Sequence, residues 1–304
     1  MNKFRNFPVI RSFIWRLGRK LYCWARQEAS SGPETNGEYW LLEQVIELNT
    51  SKVPIFFDIG ANKGNWSDHA VALFGRERIS GRVHAFEPAS ETYAYLIERF
   101  KTNNAINLNK VALSDQAGVR ELFVVGTLAG TNSLIRTEGA STEQVMSMRV
   151  DEYLAQAQIE HVVFVKSDTE GHDFNVLLGA VELFQQGRVD VWQFEYNHRW
   201  VDEKFYLKNV FEFIADKPYR LGKLYSNGIE VYARWHPELE RFFEANYVLI
   251  RNGSSFEKLC SEVTFNERNV LVSKKSIKRD HPELVHKLGL RTNQKIDHSQ
   301  SNEG

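Results

Sequence analysis

The chain has 304 residues, 42% apolar and 25% charged, which excludes a disordered polymer and a bundle of membrane spans. A formal net charge of −1 gives no general attraction to polyanions, so nucleic acid is not an expected partner. Cys23 and Cys260 match no metal-ligand or redox spacing and read as free thiols in a reducing compartment, the cytoplasm.

Residues 1–26 carry seven basic side chains (Lys3, Arg5, Arg11, Arg16, Arg19, Lys20 and Arg26) and no acid. Ile10, Phe13, Ile14, Leu17, Leu21, Trp24 and Ala25 recur there at helical spacing. Arginines interrupt every apolar run, so the segment is neither a secretory signal nor a span. Two readings of this basic amphipathic helix stand side by side: an arm lying on an anionic membrane surface at the inner membrane face, or a helix packed on its own domain. Residues 1–35 are therefore set apart as an N-terminal arm.

After a Ser/Gly/Pro break, Asn36 to Leu48 reads as a helix with Asn36 as its cap. Strands are expected at Pro54–Asp58, Gly81–Phe86, Ile106–Leu113, Val162–Ser167 and Val189–Glu195, with helices at Trp66–Phe74 and Ser90–Asn103 between the first of them. Such alternation means right-handed crossovers and a parallel sheet covered on both faces. A hairpin near Val119–Val125 and a long Gly/Ser/Thr loop, Gly126–Thr142, interrupt the pattern; a loop of that length reads as a lid or as disorder. Then follow a helix at Lys204–Ala215, a strand pair at Tyr219–Tyr225 and Gly228–Ala233, a helix at Pro237–Asn246 and a strand at Tyr247–Arg251. Residues 36–251 form the expected domain, and 252–304 a polar extension with a disordered end.

In an open parallel sheet the ligand lies beyond the carboxyl ends of the strands. Five acids stand there: Asp58, Glu87, Asp115, Asp168 and Glu195. Gly60 and Gly64 let the chain turn sharply after the first strand, but the spacing Gly60-Ala61-Asn62-Lys63-Gly64 lacks the middle glycine of a dinucleotide fingerprint. Asp58 would repel a phosphate and accept hydrogen bonds from an ammonium group. Glu87, about 27 residues after Gly60, is near the separation at which an acid takes the ribose hydroxyls, and Asp115 stands where an adenine edge would lie. Together these describe an adenosine site with a cationic extension, that of S-adenosylmethionine.

The stretches FFDIGANKG (56–64), HAFEP (84–88), VALSD (111–115), RVDEYL (149–154), VKSDTEGHD (165–173) and WQFEYNH (192–198) resemble, in order and spacing, the FkbM family of S-adenosylmethionine-dependent methyltransferases. TNSL (131–134) looks like that family's small-residue loop and NGE (36–38) like its motif before the first strand. The resemblance covers roughly 36–251 and implies a class I methyltransferase fold: a Rossmann-like, mostly parallel seven-stranded sheet with helices on both faces, here preceded by the N-terminal amphipathic helix. It implies methylation of hydroxyls, often on sugars or polyketides. Carried over by motif, Asp58, Gly60, Ala61, Asn62 and Gly64 surround the methionine moiety, Glu87 and Pro88 the ribose, Ser114 and Asp115 the adenine, with Asp168 close by. Two positions depart from the pattern: Ser167 stands for an aliphatic residue and Asp173 for a glutamate.

Methyl transfer to an alcohol needs an acceptor oxygen held in line and a base for its proton. Asp168, His172, Glu195 and His198 are the catalytic candidates, with His172 or His198 preferred as base because imidazole titrates near neutrality. His198 reads equally as a capping or core histidine. The same carboxylates and histidines could gather a divalent metal, although no spacing marks one. Tyr196, Trp200, Phe205 and Tyr206 read either as an aromatic wall for a sugar ring or as core. A glycan or lipid-linked glycan is the expected acceptor. The alternatives are an NAD-dependent oxidoreductase on a similar sheet and a non-catalytic membrane-associated protein retaining the fold.

Overall fold

The structure, a computed structural model, describes residues 8–26, 28 and 32–273; the expected disordered end beyond Ser273 lies outside the described residues. The chain divides into two units, Met1–Ser261 and Glu262–Gly304. The helices of the first are α1 (Pro8–Ala25), α2 (Glu38–Leu48), α3 (Asn65–Glu77), α4 (Ser90–Phe100), α5 (Val150–Gln156), α6 (Asp173–Leu178), α7 (Val181–Gln185) and α8 (Leu207–Phe213). Its strands are β1 (Ile55–Ile59), β2 (Arg82–Phe86), β3 (Ile106–Asn109), β4 (Ala112–Leu113), β5 (Gly118–Val124), β6 (Ser141–Met148), β7 (Val162–Ser167), β8 (Val189–Tyr196), β9 (Tyr219–Tyr225), β10 (Gly228–Tyr232) and β11 (Ala245–Arg251). The last strands are β12 (Cys260–Phe265), which starts at the end of the first unit, and β13 (Leu271–Ser273); they pair antiparallel, Val263 opposite Ser273.

The main sheet has eight strands within the first unit, where seven were expected. Within the first unit the order is β10-β9-β11-β8-β7-β1-β2-β3. The five strands β8, β7, β1, β2 and β3 are parallel, while β11, β9 and β10 continue the sheet antiparallel. The first crossovers lead from β1 to β2 and β3 on one side, and the chain then returns to β7 on the other. The order therefore reverses between β1 and β7, and the ends of those strands frame a crevice.

Successive residues of a strand face opposite sides, and β1 shows why two apolar faces are needed. Phe56 packs with Phe74 of α3 and Phe164, in a core that includes Leu41, Leu42 and Val45 of α2. Its neighbour Phe57 instead meets Phe86 and the edge of Tyr153 from α5. Asp58, next in line and one residue before the end of the strand, falls on the Phe56 side and is fully buried, and it begins a polar site beneath α2 and α3.

Two expectations need correction. Ile106–Leu113 is not one strand: β3 joins the main sheet, and β4 belongs to a separate three-stranded sheet of order β4-β6-β5. In that sheet the expected hairpin is a wide one, β5 pairing antiparallel with β6 around loop 125–140. The second correction is the helix at Pro237–Asn246, of which only a 3-10 turn, Pro237–Leu239, forms. Glu240 accepts hydrogen bonds from Tyr196 Oη, the Leu207 and Lys208 amides and Trp235 Nε1, and Phe242 takes φ 53°. Those bonds, three of them from residues more than thirty positions away, outweigh helix propensity in a short segment.

The turn after β1 is held by backbone bonds. The Gly60 and Ala61 amides both donate to the Phe86 carbonyl at 3.0 Å, and the Asp168 amide donates to the Ile59 carbonyl at 2.9 Å. Gly60 has φ +80°, and a Cβ there would lie 2.0 Å from the Asp168 carbonyl oxygen. Gly60→Ala is therefore expected to cost roughly 2–4 kcal/mol, from the left-handed conformation plus the clash. Thermal melts would register that as a fall of about 5–15 °C; an unchanged midpoint would show that the turn tolerates a side chain.

Candidate active site

Two cavities open at the crevice. The smaller, about 60 Å³, has apolar walls that include Phe86, Leu113 and Leu134, with Glu87 as its buried acid. The larger, about 290 Å³, is polar: Glu38, Lys166, Glu195, Lys223 and Glu244 line it, with Tyr39 and Trp66 as its aromatic walls. Gly60, Asn62, Gly130, Asp168 and Glu170 border both, so the cavities meet at the ends of β1 and β7.

In the smaller cavity, Glu87 accepts from the Asn62 amide at 3.0 Å and the Ala89 amide at 2.9 Å. Burial pushes its carboxyl up to about 7; the two amides offset part of that cost. Loop 125–140 folds over this side. Asn132 Oδ1 accepts from the Val125 amide, and Ser133 Oγ donates to the Glu170 carbonyl at 3.0 Å, tying the loop to the turn after β7. The loop is thus an ordered wall of the cavity, carrying Gly130, Asn132, Ser133 and Leu134.

In the larger cavity, Lys166 is the centre of charge. Its Nζ donates to Asp168 Oδ2 at 3.1 Å and stands 3.9 Å from Asp58 Oδ1. Burial disfavours the ammonium, but Asp168, Glu38 and Asp58 outweigh it and hold Lys166 charged. One ammonium among several acids leaves an excess of negative groups. Burial accordingly pushes up the carboxyls of Asp58 and Glu38, the deepest of them. Glu195 is raised well above the ordinary range by burial and then by Asp168, Asp173 and Glu170. Burial, then Asp168, brings Glu170 to about 7, and its backbone sits in the left-handed region at φ 57°. Strained non-glycine residues of this kind cluster at functional sites.

The strand-end acids come together only in part. Glu87, Asp168 and Glu195 line the cavities, as do Gly60, Ala61, Asn62 and Pro88. Asp58 lies beneath them, behind Lys166, with Ser67 Oγ donating to it at 2.6 Å. Gly64 caps α3 at φ +75°, its Cα side closed by the Phe100 ring. Asp115 lines neither cavity; Arg120 holds its carboxylate at 2.6 Å, and Ser114 Oγ donates to it at 2.9 Å. Of the two preferred histidines, only His172 borders a cavity, the smaller one. It is buried there, its Nε2 2.9 Å from Ser114 Oγ and its Nδ1 3.1 Å from Asn175 Nδ2, and burial drives its pKa down to about 4. His198 is exposed and borders neither cavity. Tyr196 and Trp200 are core, stacked edge-on at 4.9 Å. Among the described residues, no three His, Cys, Asp or Glu side chains gather as a metal set.

Lys166 and Lys223 line the larger cavity and are passed over by pattern reading, whereas Glu38 and Glu170 stand in the stretches 36–38 and 165–173 without being preferred for a role. A lysine inside the apolar run VVFVKS was the available signal for the first, because a charge in a two-sided strand needs partners. The two departures from the family pattern also find each other: Ser167 Oγ donates to Asp173 Oδ1 at 2.6 Å.

An open sheet with a glycine turn at its reversal point and an acid ending the neighbouring strand defines a cofactor-dependent α/β enzyme. Residues 58–221, more than half of the chain, match the Methyltransferase FkbM domain, and the protein belongs to that family of S-adenosylmethionine-dependent methyltransferases. No curated protein matches. Among solved structures, an rRNA methylase from Streptococcus thermophilus is 11% identical over 71% of this chain and 97% of its own, at TM-score 0.38. The METTL16 MTase domain is 10% identical over 71% and 66%, at 0.38. The CMeT domain of the citrinin polyketide synthase is 12% identical over 71% and 51%, at 0.40. The chain thus spans just under two thirds of the METTL16 domain and about half of the synthase domain, and at these scores nothing about the acceptor follows.

The residues present fit the cofactor. Asn62 Oδ1 is buried with no hydrogen-bond partner and borders both cavities, an acceptor for an ammonium group. Glu87 can take the ribose hydroxyls, and the excess of carboxylates suits a cation.

Proposed function

We propose that the protein transfers a methyl group from S-adenosylmethionine to a hydroxyl of a sugar or glycan, in the cytoplasm. The observation that carries this reading is the pair of cavities meeting at Gly60, Asn62, Asp168 and Glu170: one apolar with a single ribose-type acid, the other wide, polar and rich in carboxylates. A ring bearing many hydroxyls finds partners in Glu38, Glu195, Lys223 and Asn246, and an apolar face in Tyr39, whose ring stacks on His69 at 4.1 Å.

The cofactor, when bound, supplies an electrophilic methyl on a sulfonium. The chain's own residues do the rest. Glu87 and Asn62 orient, loop 125–140 excludes water from the smaller cavity, and Glu170 takes the acceptor's proton. Glu170 suits that task better than either histidine because it borders both cavities and titrates near neutrality. Lys166, locked by acids, keeps Asp168 in place.

Glu87→Ala is expected to weaken S-adenosylmethionine binding by about 100-fold, two charge-assisted hydrogen bonds being lost. Calorimetry measures it, and a change under threefold would remove Glu87 from the ribose. The acceptor class is tested by incubating the protein with methyl-labelled cofactor and a panel of saccharides, lipid-linked saccharides, RNA and small polyketides. Label on a saccharide hydroxyl is expected; label on RNA or a polyketide and on no saccharide would overturn the reading.

A further inference from the structure

Helix α1 carries its apolar residues on the side turned away from the domain. At about 100° per residue, Ile10, Phe13, Ile14, Leu17, Leu21 and Trp24 form one stripe, and Trp15, Arg19 and Tyr22 lie opposite. The domain is met from this second side. The Arg19 guanidinium sits 5.1 Å from the Phe243 ring, the Tyr22 ring 6.4 Å from it, and the Arg241 guanidinium 4.9 Å from the Tyr22 ring. No residue of α1 is buried, and in the stripe Trp24 is 82%, Phe13 65% and Leu21 57% exposed. The helix is therefore not packed on its core by the face that its periodicity marks as a core face.

Charge decides what covers that face. Arg11, Arg16 and Lys20 flank the stripe and α1 holds no acidic residue, so a second copy would bring like charges together, whereas anionic headgroups would meet them with opposite charge. No described helix is long and apolar enough to cross a membrane, which leaves a helix lying in the interface plane.

We propose that α1 docks the protein on an anionic lipid bilayer, stripe inward. The helix is tied to the larger cavity. Glu28, just past α1, accepts a hydrogen bond from Lys223 Nζ and lies 3.9 Å from Arg241; Lys223 and Glu244 line the cavity. Docking brings the cavity rim beside the headgroups, as an acceptor presented there requires. That last consequence rests on the proposed acceptor; the lipid contact does not.

The test uses the full chain and flotation with phosphatidylcholine vesicles, with and without phosphatidylglycerol. Binding at least ~10-fold tighter to the anionic vesicles is expected, falling as salt is added. The double variant Phe13→Ser/Leu17→Ser is expected to lose binding, and Arg16→Glu/Lys20→Glu to lose the preference for anionic lipid. All four side chains are exposed, so the variants should fold, and unchanged affinity for S-adenosylmethionine checks that they do. No partition by the wild type, equal partition onto neutral vesicles, or full binding by Phe13→Ser/Leu17→Ser would overturn the proposal. So would sedimentation showing a wild-type dimer that the same pair of substitutions splits, because a second copy would then cover the stripe.

Discussion

Lys166→Met is expected to destabilise the protein by roughly 3–5 kcal/mol, because removing one partner of a buried ion cluster leaves the others uncompensated. The Lys166 side chain is 8% exposed and Asp58 is fully buried, so water entering from the larger cavity replaces the missing ammonium only in part. Methionine fits the space of the aliphatic stem, and the loss is therefore electrostatic rather than a cavity. The sign of its pH dependence follows. Without the cation, neutral acids become more favourable in the folded state, so their folded pKa values rise further above the unfolded ones. Stability that such groups contribute is present at low pH and is lost as pH rises through the folded pKa. The variant should trail the wild type by about 10 °C at pH 8, and by less at pH 5. A constant gap across that range, or none, would show that Lys166 does not carry the cluster.

Glu170→Gln is expected to lower kcat by ~10²–10³, the contribution of a positioned base, while changing cofactor affinity by less than about threefold. In the wild type, kcat/KM should rise with pH through about 7, since burial and Asp168 bring the Glu170 carboxyl to that value and only its ionised form accepts a proton. The glutamine variant should lack that limb. Stability moves the other way. The folded pKa of Glu170 lies above its unfolded value, so its contribution is full below the ordinary carboxylate range and is lost as pH rises through about 7. Glutamine escapes that loss, and the cofactor-free variant should be more stable than the wild type by about 1–2 kcal/mol at pH 8, after allowance for the partly exposed side chain, with no difference near pH 4. Slower turnover with a higher melting midpoint is the signature of a group kept in an unfavourable place for its chemistry. Unchanged kcat would pass the role to Asp168 or Glu195, which border the same cavity.

The parallel half of the sheet was legible because its signals are local. Short apolar runs such as IFFDI and VVFV, broken by glycine and by the Glu-Pro step at 87–88, mark strands buried on both faces, and the helices between them have regular stripes. The pair Tyr219–Tyr225 and Gly228–Tyr232 was equally plain, two alternating runs around a two-residue turn. Where reading failed, distant partners had decided. Residues 237–244 have a helical pattern, yet four hydrogen bonds to Glu240 from three other places hold them otherwise. Likewise β4 left the expected third strand because its pairing partner, β6, is more than thirty residues away.

For the site, sequence by itself determined which strand ends meet at the cavities: the glycine turn at 60–64, Glu87 and Asp168 each depend on the end of one strand, and the topology of an open parallel sheet brings such ends to one edge. Tertiary structure alone decided which titratable groups face the cavities and with what proton affinity. Whether His172, His198, Glu170 or Glu195 faces an acceptor depends on where each side chain points after the turn, and on burial that moves His172 and Glu170 to opposite sides of their ordinary ranges. Proton affinity is set by the dielectric and the charges that folding assembles around a group, and neither is written in residue type or spacing.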